Sequence, residues 1–256
     1  MNPFKKDKKQ ISIFITAGYP KLESTTEQIL TLQSSGIDFI EVGIPFSDPM
    51  ADGPVIQETS AVALANGMQM DILFSQLESI KNQVKIPLVL MGYLNPVIQY
   101  GLDKFLSRCK ELSVASVILP DMSLELYERF YKTQFEKFQI HITFLVTPLT
   151  NNERIQKIAK ISANSFVYLV SVTSITGGKM AINDQISNRF DEVKNLCGAT
   201  PVMIGFGISN LSDVKNAQKH CDGAIIGSAF LKALKNNEEL LYLENLEIKS
   251  HPSIQN

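Results

Sequence analysis

The 256-residue chain is short of cysteine, histidine and any surplus of charge, and each shortage removes a class of function. Cys109, Cys197 and Cys221 are an odd number with no C-x-x-C pair, so neither a disulfide framework nor a zinc ribbon is expected. They fit small buried hydrophobes in a reducing compartment. His141, His220 and His251 are scattered, and no Cys/His/carboxylate cluster has metal-ligand spacing, so no metal site is expected. Lys and Arg number 24 against 26 Asp and Glu, a net charge of −2, which leaves no general basic field for nucleic acid or an anionic membrane. The one basic cluster, Lys5, Lys6, Lys8 and Lys9, reads as a solvated, frayed N-terminus. No apolar stretch approaches the roughly 18 residues of a membrane span, and the opening residues lack the apolar core of a signal peptide. A cytoplasmic protein is expected. There is no Gly-x-Ser-x-Gly elbow and no Walker lysine, and no lysine at a strand end suggests a Schiff base.

What the sequence does have is a regular alternation of short apolar runs and longer amphipathic ones. Strands are predicted at Ile11–Thr16, Phe39–Gly43, Pro87–Met91, Val114–Leu119, Ile140–Val146, Phe166–Ser171, Val202–Gly205 and Ala224–Ile226. Helices are predicted over Thr25–Ser35, Val55–Ala65, Asp71–Gln83, Leu102–Leu112, Leu124–Phe138, Glu153–Ile161, Gln185–Leu196, Leu211–Lys219 and Ser228–Leu234. Continuous apolar runs, rather than strict alternation, mean strands buried on both faces and therefore a parallel sheet. Eight β-then-α units fit an α/β fold, a single (β/α)8 TIM barrel spanning residues 1–256 as one domain. An open doubly wound sheet is the structural alternative.

In a barrel the working residues lie at the C-terminal ends of the strands and in the loops that follow. Glu41 sits inside the apolar run Phe39–Ile44, where an unpaired carboxylate is costly to bury. Two readings fit it: a lumen carboxylate satisfied by a structural hydrogen bond, or a general acid whose pKa burial has raised. The next loop carries Asp48 and Asp52 among turn-forming residues. Asp48 reads as turn duty. Asp52 either caps the helix that begins beyond Gly53 and Pro54 or hangs over the barrel mouth beside Glu41. Gly205, Gly207 and Ser209 follow the seventh strand, and Gly227 and Ser228 follow the eighth, where many barrels hold a phosphate on helix N-termini. Thr176, Gly177 and Gly178 lie in Thr173–Ser187, a connection long enough to be a lid. The residues alone point to carboxylate acid/base chemistry on a phosphorylated small molecule.

The run from Phe39 to Pro54, with both Glu41 and Asp52 in place, resembles the signature of the tryptophan synthase alpha subunit family. Phe14–Pro20, Met91–Pro96, Leu119–Asp121, Tyr168–Ser171, Thr176–Gly177, Gly205–Ser209 and Gly227–Ala229 follow in the family's order, so the resemblance covers nearly the whole chain. It implies retro-aldol cleavage of indole-3-glycerol phosphate to indole and D-glyceraldehyde 3-phosphate. It also implies Glu41 as the acid, Asp52 as acceptor for the indole N–H, and an indole pocket of Phe14, Ile56, Tyr93, Leu119 and Tyr168. Thr176, Gly177, Gly205, Gly207, Gly227 and Ser228 would hold the phosphate and close the lid. By the same resemblance the chain has no cofactor of its own. It would work in an α2β2 complex with a pyridoxal-phosphate beta subunit, which Pro45–Pro54 and Asn95–Tyr100 would face as loops. Two alternatives are a non-catalytic regulatory subunit and a stand-alone lyase.

Two departures from the family stand out. Ser174 replaces a glycine common in the lid, and Val172 stands near where an arginine often occurs. The short N-terminus leaves little room for a helix that plugs the bottom of the barrel, so a reduced plug is expected.

Overall fold

A computed structural model of the chain describes residues 2–170, 184–205 and 207–248. The first half runs β1 (Gln10–Thr16), α1 (Ser24–Ser34), β2 (Phe39–Gly43), α2 (Pro54–Ala65), α3 (Met70–Ile80), β3 (Leu88–Met91), α4 (Leu94–Tyr100), α5 (Leu102–Glu111) and β4 (Ser116–Ile118). Then come α6 (Leu124–Leu126), a π-helical turn (Tyr127–Tyr131), α7 (Lys132–Phe138), β5 (Ile142–Thr143), β6 (Leu145–Val146), α8 (Asn152–Ile161) and β7 (Val167–Val170). The chain continues through α9 (Asp184–Leu196), β8 (Val202–Gly205), α10 (Leu211–His220), β9 (Gly223–Ile226), α11 (Ser228–Lys235) and α12 (Glu239–Asn245).

All pairings are parallel, in the order β5-β4-β3-β2-β1-β9-β8-β7-β6. The two ends of that order are consecutive in the chain. The expected fifth strand, Ile140–Val146, is two short pieces flanking Phe144: Ile142–Thr143 pairs with β4, and Leu145–Val146 pairs with β7. The Tyr168 amide also donates to the Phe144 carbonyl at 3.0 Å. The strand therefore uses its first half on one neighbour and its second half on the other, and the sheet closes on itself. Strand tilt in a barrel makes such a staggered change of partner natural. Nine ladder segments thus form the eight positions of a (β/α)8 barrel.

Three further expectations are corrected. Asn95–Tyr100, expected as a loop, lies within helix α4, which Gly101 separates from α5 by a backbone turn at φ +96°. Leu124–Phe138 is not one α-helix, because the π-helical turn interrupts it. Helix α12 follows α11 where no helix was predicted; it buries only Leu243 and leaves Leu240 and Leu241 exposed, so its apolar face is weakly patterned. Elsewhere local chemistry and outcome agree. Gly53 and Pro54 start α2, and the Asn151 and Asn210 side chains cap α8 and α10 by accepting from Arg154 N and Asp213 N.

No helix precedes β1 among the described residues. Phe4 instead fills the bottom of the barrel, 2% exposed, edge-on to Phe39 and Phe166 at 5.1 and 4.8 Å. Above it Ser116, Thr143 and Ser165 close a triangle of buried hydroxyl hydrogen bonds, at 3.0, 2.5 and 2.7 Å. These three hydroxyls pair with one another and so avoid a desolvation cost, whereas the buried Ser12 hydroxyl has no partner.

Candidate active site

Register decides which strand residues face the lumen. Phe14 pairs with Glu41, and Glu41 with Val89, so their side chains lie on one face of the sheet. The two neighbours of Glu41, Ile40 and Val42, then point to the helices. Two glycines make room at the top of this lumen: a Cβ at Gly43 would overlap the Phe14 ring, and one at Gly205 would overlap the Tyr168 hydroxyl. Phe14 and Tyr168 lean into the space those side chains would occupy, each only 5% exposed.

Glu41 is 1% exposed, and its Oε1 has no hydrogen-bond partner. The structural-hydrogen-bond reading therefore fails for that oxygen. Burial disfavours the carboxylate and pushes its pKa from an ordinary 4.5 to about 8, so the group is protonated at neutral pH. Tyr168 is held well above the usual range, first by burial and then by the nearby Glu41 and Asp52 carboxylates.

Asp52 does not cap α2. The N-cap is Gly53, with extended backbone and no side-chain bond, while the Asp52 carboxylate turns toward the barrel mouth and accepts from the Tyr93 hydroxyl at 3.0 Å. Burial raises its pKa, and the bond from Tyr93 opposes that rise. Asp48 is exposed and bonds the adjacent Ser47 hydroxyl, in keeping with turn duty. A narrow cleft, with a cavity volume of about 10 Å³, brings together Phe14, Gly43, Asp52, Ile56 and Tyr93, with Thr16, Ile44, Ser60, Met91, Gly92 and Pro120 completing its wall. Leu119 is buried at the end of β4 and is not part of that wall, where its neighbour Pro120 is.

The two glycine-rich turns differ. At α10 the Asn210 side chain caps the Asp213 amide at 3.0 Å, and the Asp213 carboxylate accepts from the Ser209 amide and hydroxyl at 2.9 and 2.7 Å, so side chains occupy part of that helix end. At α11 no side chain caps the helix, whose N-cap is Gly227. The first amides, at Ser228, Ala229 and Phe230, therefore have no acceptor within the helix and remain available to an anion. A Cβ on Gly227 would lie 3.7 Å from the Phe14 Cβ and 4.0 Å from Ile56 Cδ1, so this helix end adjoins the cleft. Gly205 is buried, and Gly207 is exposed at φ +77°, a conformation suited to glycine. Thr176, Gly177 and Ser174 with Val172 lie outside the described residues, as does most of the expected lid.

The family model for the tryptophan synthase alpha chain matches residues 2–252. The chain belongs to that family. It is 46% identical over 231 residues to the tryptophan synthase alpha chain of Flavobacterium psychrophilum, covering 90% of this chain and 91% of that one. It is 43% identical over 234 residues to that of Bacteroides fragilis, at 90% and 89% coverage. Among solved structures, the tryptophan synthase A-subunit of Pyrococcus furiosus superposes with a TM-score of 0.83 at 30% identity, covering 95% of this chain and 98% of that one. The aminoacrylate-bound tryptophan synthase of Mycobacterium tuberculosis gives 0.82 at 26% identity, covering 96% and 94%.

The tryptophan synthase alpha chain family is a lyase family of tryptophan biosynthesis. Its known reaction is the cleavage of indole-3-glycerol phosphate, and its members work with a beta subunit. The alpha-family cleft is not the largest cavity of this molecule. One of about 770 Å³ lies at the opposite face, among Pro3, Lys81, Lys85, Lys110 and His141, at the N-terminal ends of β3 and β4. Barrels of this kind do their chemistry at the other end. Sequence reasoning missed Met91, Gly92 and Pro120 in the cleft wall. Their position at the C-terminal ends of β3 and β4 was the signal that could have found them. No group of His, Cys, Asp and Glu among the described residues is arranged to hold a metal, and no helix among them is long and apolar enough to cross a membrane.

Proposed function

We propose that this chain cleaves indole-3-glycerol phosphate to indole and D-glyceraldehyde 3-phosphate with Glu41 as general acid. The observation that carries the reading is Glu41 itself: a buried carboxyl with an unpartnered oxygen, protonated at neutral pH, one layer below a cleft that its strand neighbours Phe14 and Gly43 line. Cleavage of the bond at C3 of an indole requires a proton on that carbon, which turns the ring into an iminium. Glu41 supplies the proton. Its carboxylate then takes the proton of the glycerol hydroxyl, the carbon–carbon bond breaks, and its electrons return to the ring as the aldehyde forms. Asp52, facing the same cleft, accepts from the ring N–H and stabilises the positive charge that grows there. A placed charge in a dry site commonly contributes about 3 kcal/mol.

Phe14, Ile56 and Tyr93, which line the cleft, form the apolar indole pocket in this reading, with Leu119 and Tyr168, buried outside the cleft wall, completing it. Gly205, Gly207, Gly227 and Ser228 receive the phosphate, chiefly on the uncapped α11 amides, and Thr176 and Gly177 close over it. The whole chain, residues 1–256, works as one domain. It assembles with a pyridoxal-phosphate beta subunit as α2β2 and passes indole to it, the exposed Met50 and Ile98 on the Pro45–Pro54 loop and α4 supporting an apolar partner face. The three buried, unpaired cysteines support a reducing, cytoplasmic setting. A non-catalytic subunit would have no use for a carboxyl kept buried without a partner.

The experiment is indole release from indole-3-glycerol phosphate by the purified chain, with and without a beta subunit. Slow release that the partner accelerates is the expected result. Fast release alone makes it a stand-alone lyase, and no release in either condition leaves the regulatory reading.

A further inference from the structure

The Tyr93 hydroxyl does more than line an apolar pocket. A phenol has one proton to give and an oxygen that accepts. Here the proton goes to Asp52 Oδ2 at 3.0 Å, and the oxygen accepts the Ala51 amide at 2.9 Å. One atom thus holds both the side chain and the adjoining backbone of the loop that carries Asp52.

The two sides of this contact are unequal. Tyr93 is the fixed side: 7% exposed, its ring against Phe46 at 5.3 Å, and the next amide, Leu94 N, pinned by both oxygens of Asp121 at 3.0 and 3.1 Å. Asp52 is the held side. It lies in an irregular loop, its own amide donates to Pro49 O at 3.0 Å, and a Cβ on the following Gly53 would meet nothing within 4 Å. The one side-chain hydrogen bond its carboxylate makes among the described residues is to Tyr93. That bond occupies Oδ2 and leaves Oδ1, which takes no hydrogen bond among the described residues, on a side chain that lines the cleft together with Tyr93.

We propose that Tyr93 is a positioning residue for Asp52, selecting which carboxylate oxygen meets the ring N–H of the substrate. The proposal rests on the reading of Asp52 given above. Because the Tyr93 proton is committed to Asp52, Tyr93 itself transfers no proton to substrate. A bond donated by a neutral hydroxyl also favours the ionised carboxylate, the form that can stabilise a cationic ring. The titratable groups facing Asp52 are Tyr93 and Tyr168, with Glu41 beyond Tyr168 and Asp121 behind Tyr93. None of the other three supplies a compensating positive charge.

The test is steady-state cleavage by the complex with the beta subunit, for Tyr93→Phe, Asp52→Asn and the double variant across pH. Tyr93→Phe keeps the ring and removes the hydroxyl. It is expected to lower kcat roughly 10- to 100-fold, the usual range for one hydrogen bond to a charged group, with KM changed less than about threefold. The acid limb of kcat/KM moves to higher pH, since Asp52 loses a bond that favoured its ionised form. In the Asp52→Asn background the tyrosine substitution adds less than about a twofold loss, because the two residues act as one unit. Multiplying losses in the double variant, or a raised KM with kcat intact, overturns the proposal and makes Tyr93 pocket wall only. Asp52→Asn at wild-type rate overturns the reading of Asp52 and this proposal together, a pattern distinct from the first two.

Discussion

Two carboxyl groups in this barrel are equally hidden from water and treated in opposite ways. Asp222, 0% exposed, immediately precedes β9 at the lower end of the barrel. It accepts from Val202 N at 2.8 Å and Asp7 N at 2.9 Å, and lies 3.0 Å from the Lys194 ammonium. Glu41, 1% exposed, sits one layer below the upper mouth with Oε1 unpartnered. Taking a charge out of water is costly, and the two ends meet that cost differently. At the bottom, backbone amides and a lysine stabilise the anion and the group ties three segments together. At the top nothing offsets burial, so the acid keeps its proton. A paired buried acid serves the fold; an unpaired one beside a cleft fits the acid of the proposed reaction.

The contrast can be broken at either end. The largest effect is expected from Glu41→Gln, which preserves shape and neutrality: cleavage falls roughly 10²- to 10⁴-fold, the usual contribution of a positioned acid. The thermal midpoint stays level or rises, since glutamine mimics the protonated form. Retained turnover with the partner present would remove Glu41 from the mechanism.

Asp222→Ala is expected to do the reverse. It strands the buried Val202 amide and removes one of the two carboxylates beside Lys194, lowering stability by about 1–3 kcal/mol in urea unfolding. Indole release per folded molecule is unchanged below the transition. A loss of kcat without loss of stability would mean the two ends are coupled.

The dependence of stability on pH sharpens the comparison further. The Glu41 pKa stands at about 8 in the folded protein against 4.5 ordinarily. Between those values the native state holds a proton that the unfolded chain has released, so stability falls as pH rises. The contribution is fully present below about pH 4.5 and gone above about 8, with a slope of at most about 1.4 kcal/mol per unit. Urea midpoints of the wild type should decline through that window and those of Glu41→Gln should not, while Asp222→Ala should keep the slope. The cleavage rate should also fall above about pH 8, as the acid loses its proton.

Much of this was legible in the sequence, and what was not has identifiable causes. Strand runs such as Phe39–Gly43 and Val202–Gly205 coincide with β2 and β8, because a strand buried on both faces must be apolar throughout. Helix α4 was hidden by its own composition: Leu94–Tyr100 contains Asn95 and Pro96, which read as loop, yet proline in the first turn of a helix forfeits no internal bond. The break at Phe144 carries no local mark, since it arises where one strand changes neighbours. Asp52 taken alone read better as a helix cap than as a site residue, because aspartate before Gly-Pro at a helix start suits capping, and the structure turns it to Tyr93 instead.

The sequence by itself determined the barrel, the position of Glu41 in an inward-facing strand slot, the glycine-rich turns and the family. These depend on periodicity and local turn chemistry, which act within a few residues. Only the tertiary structure decided that Glu41 has an unpartnered oxygen and Asp222 does not, that Asp52 answers to Tyr93 rather than to its own helix, and that a side chain caps α10 while none caps α11. Each of those outcomes turns on which side chains meet within hydrogen-bond range. For Glu41, Asp222 and Asp52 the residues concerned are 20 to more than 200 positions apart in the chain, separations over which no local pattern carries information.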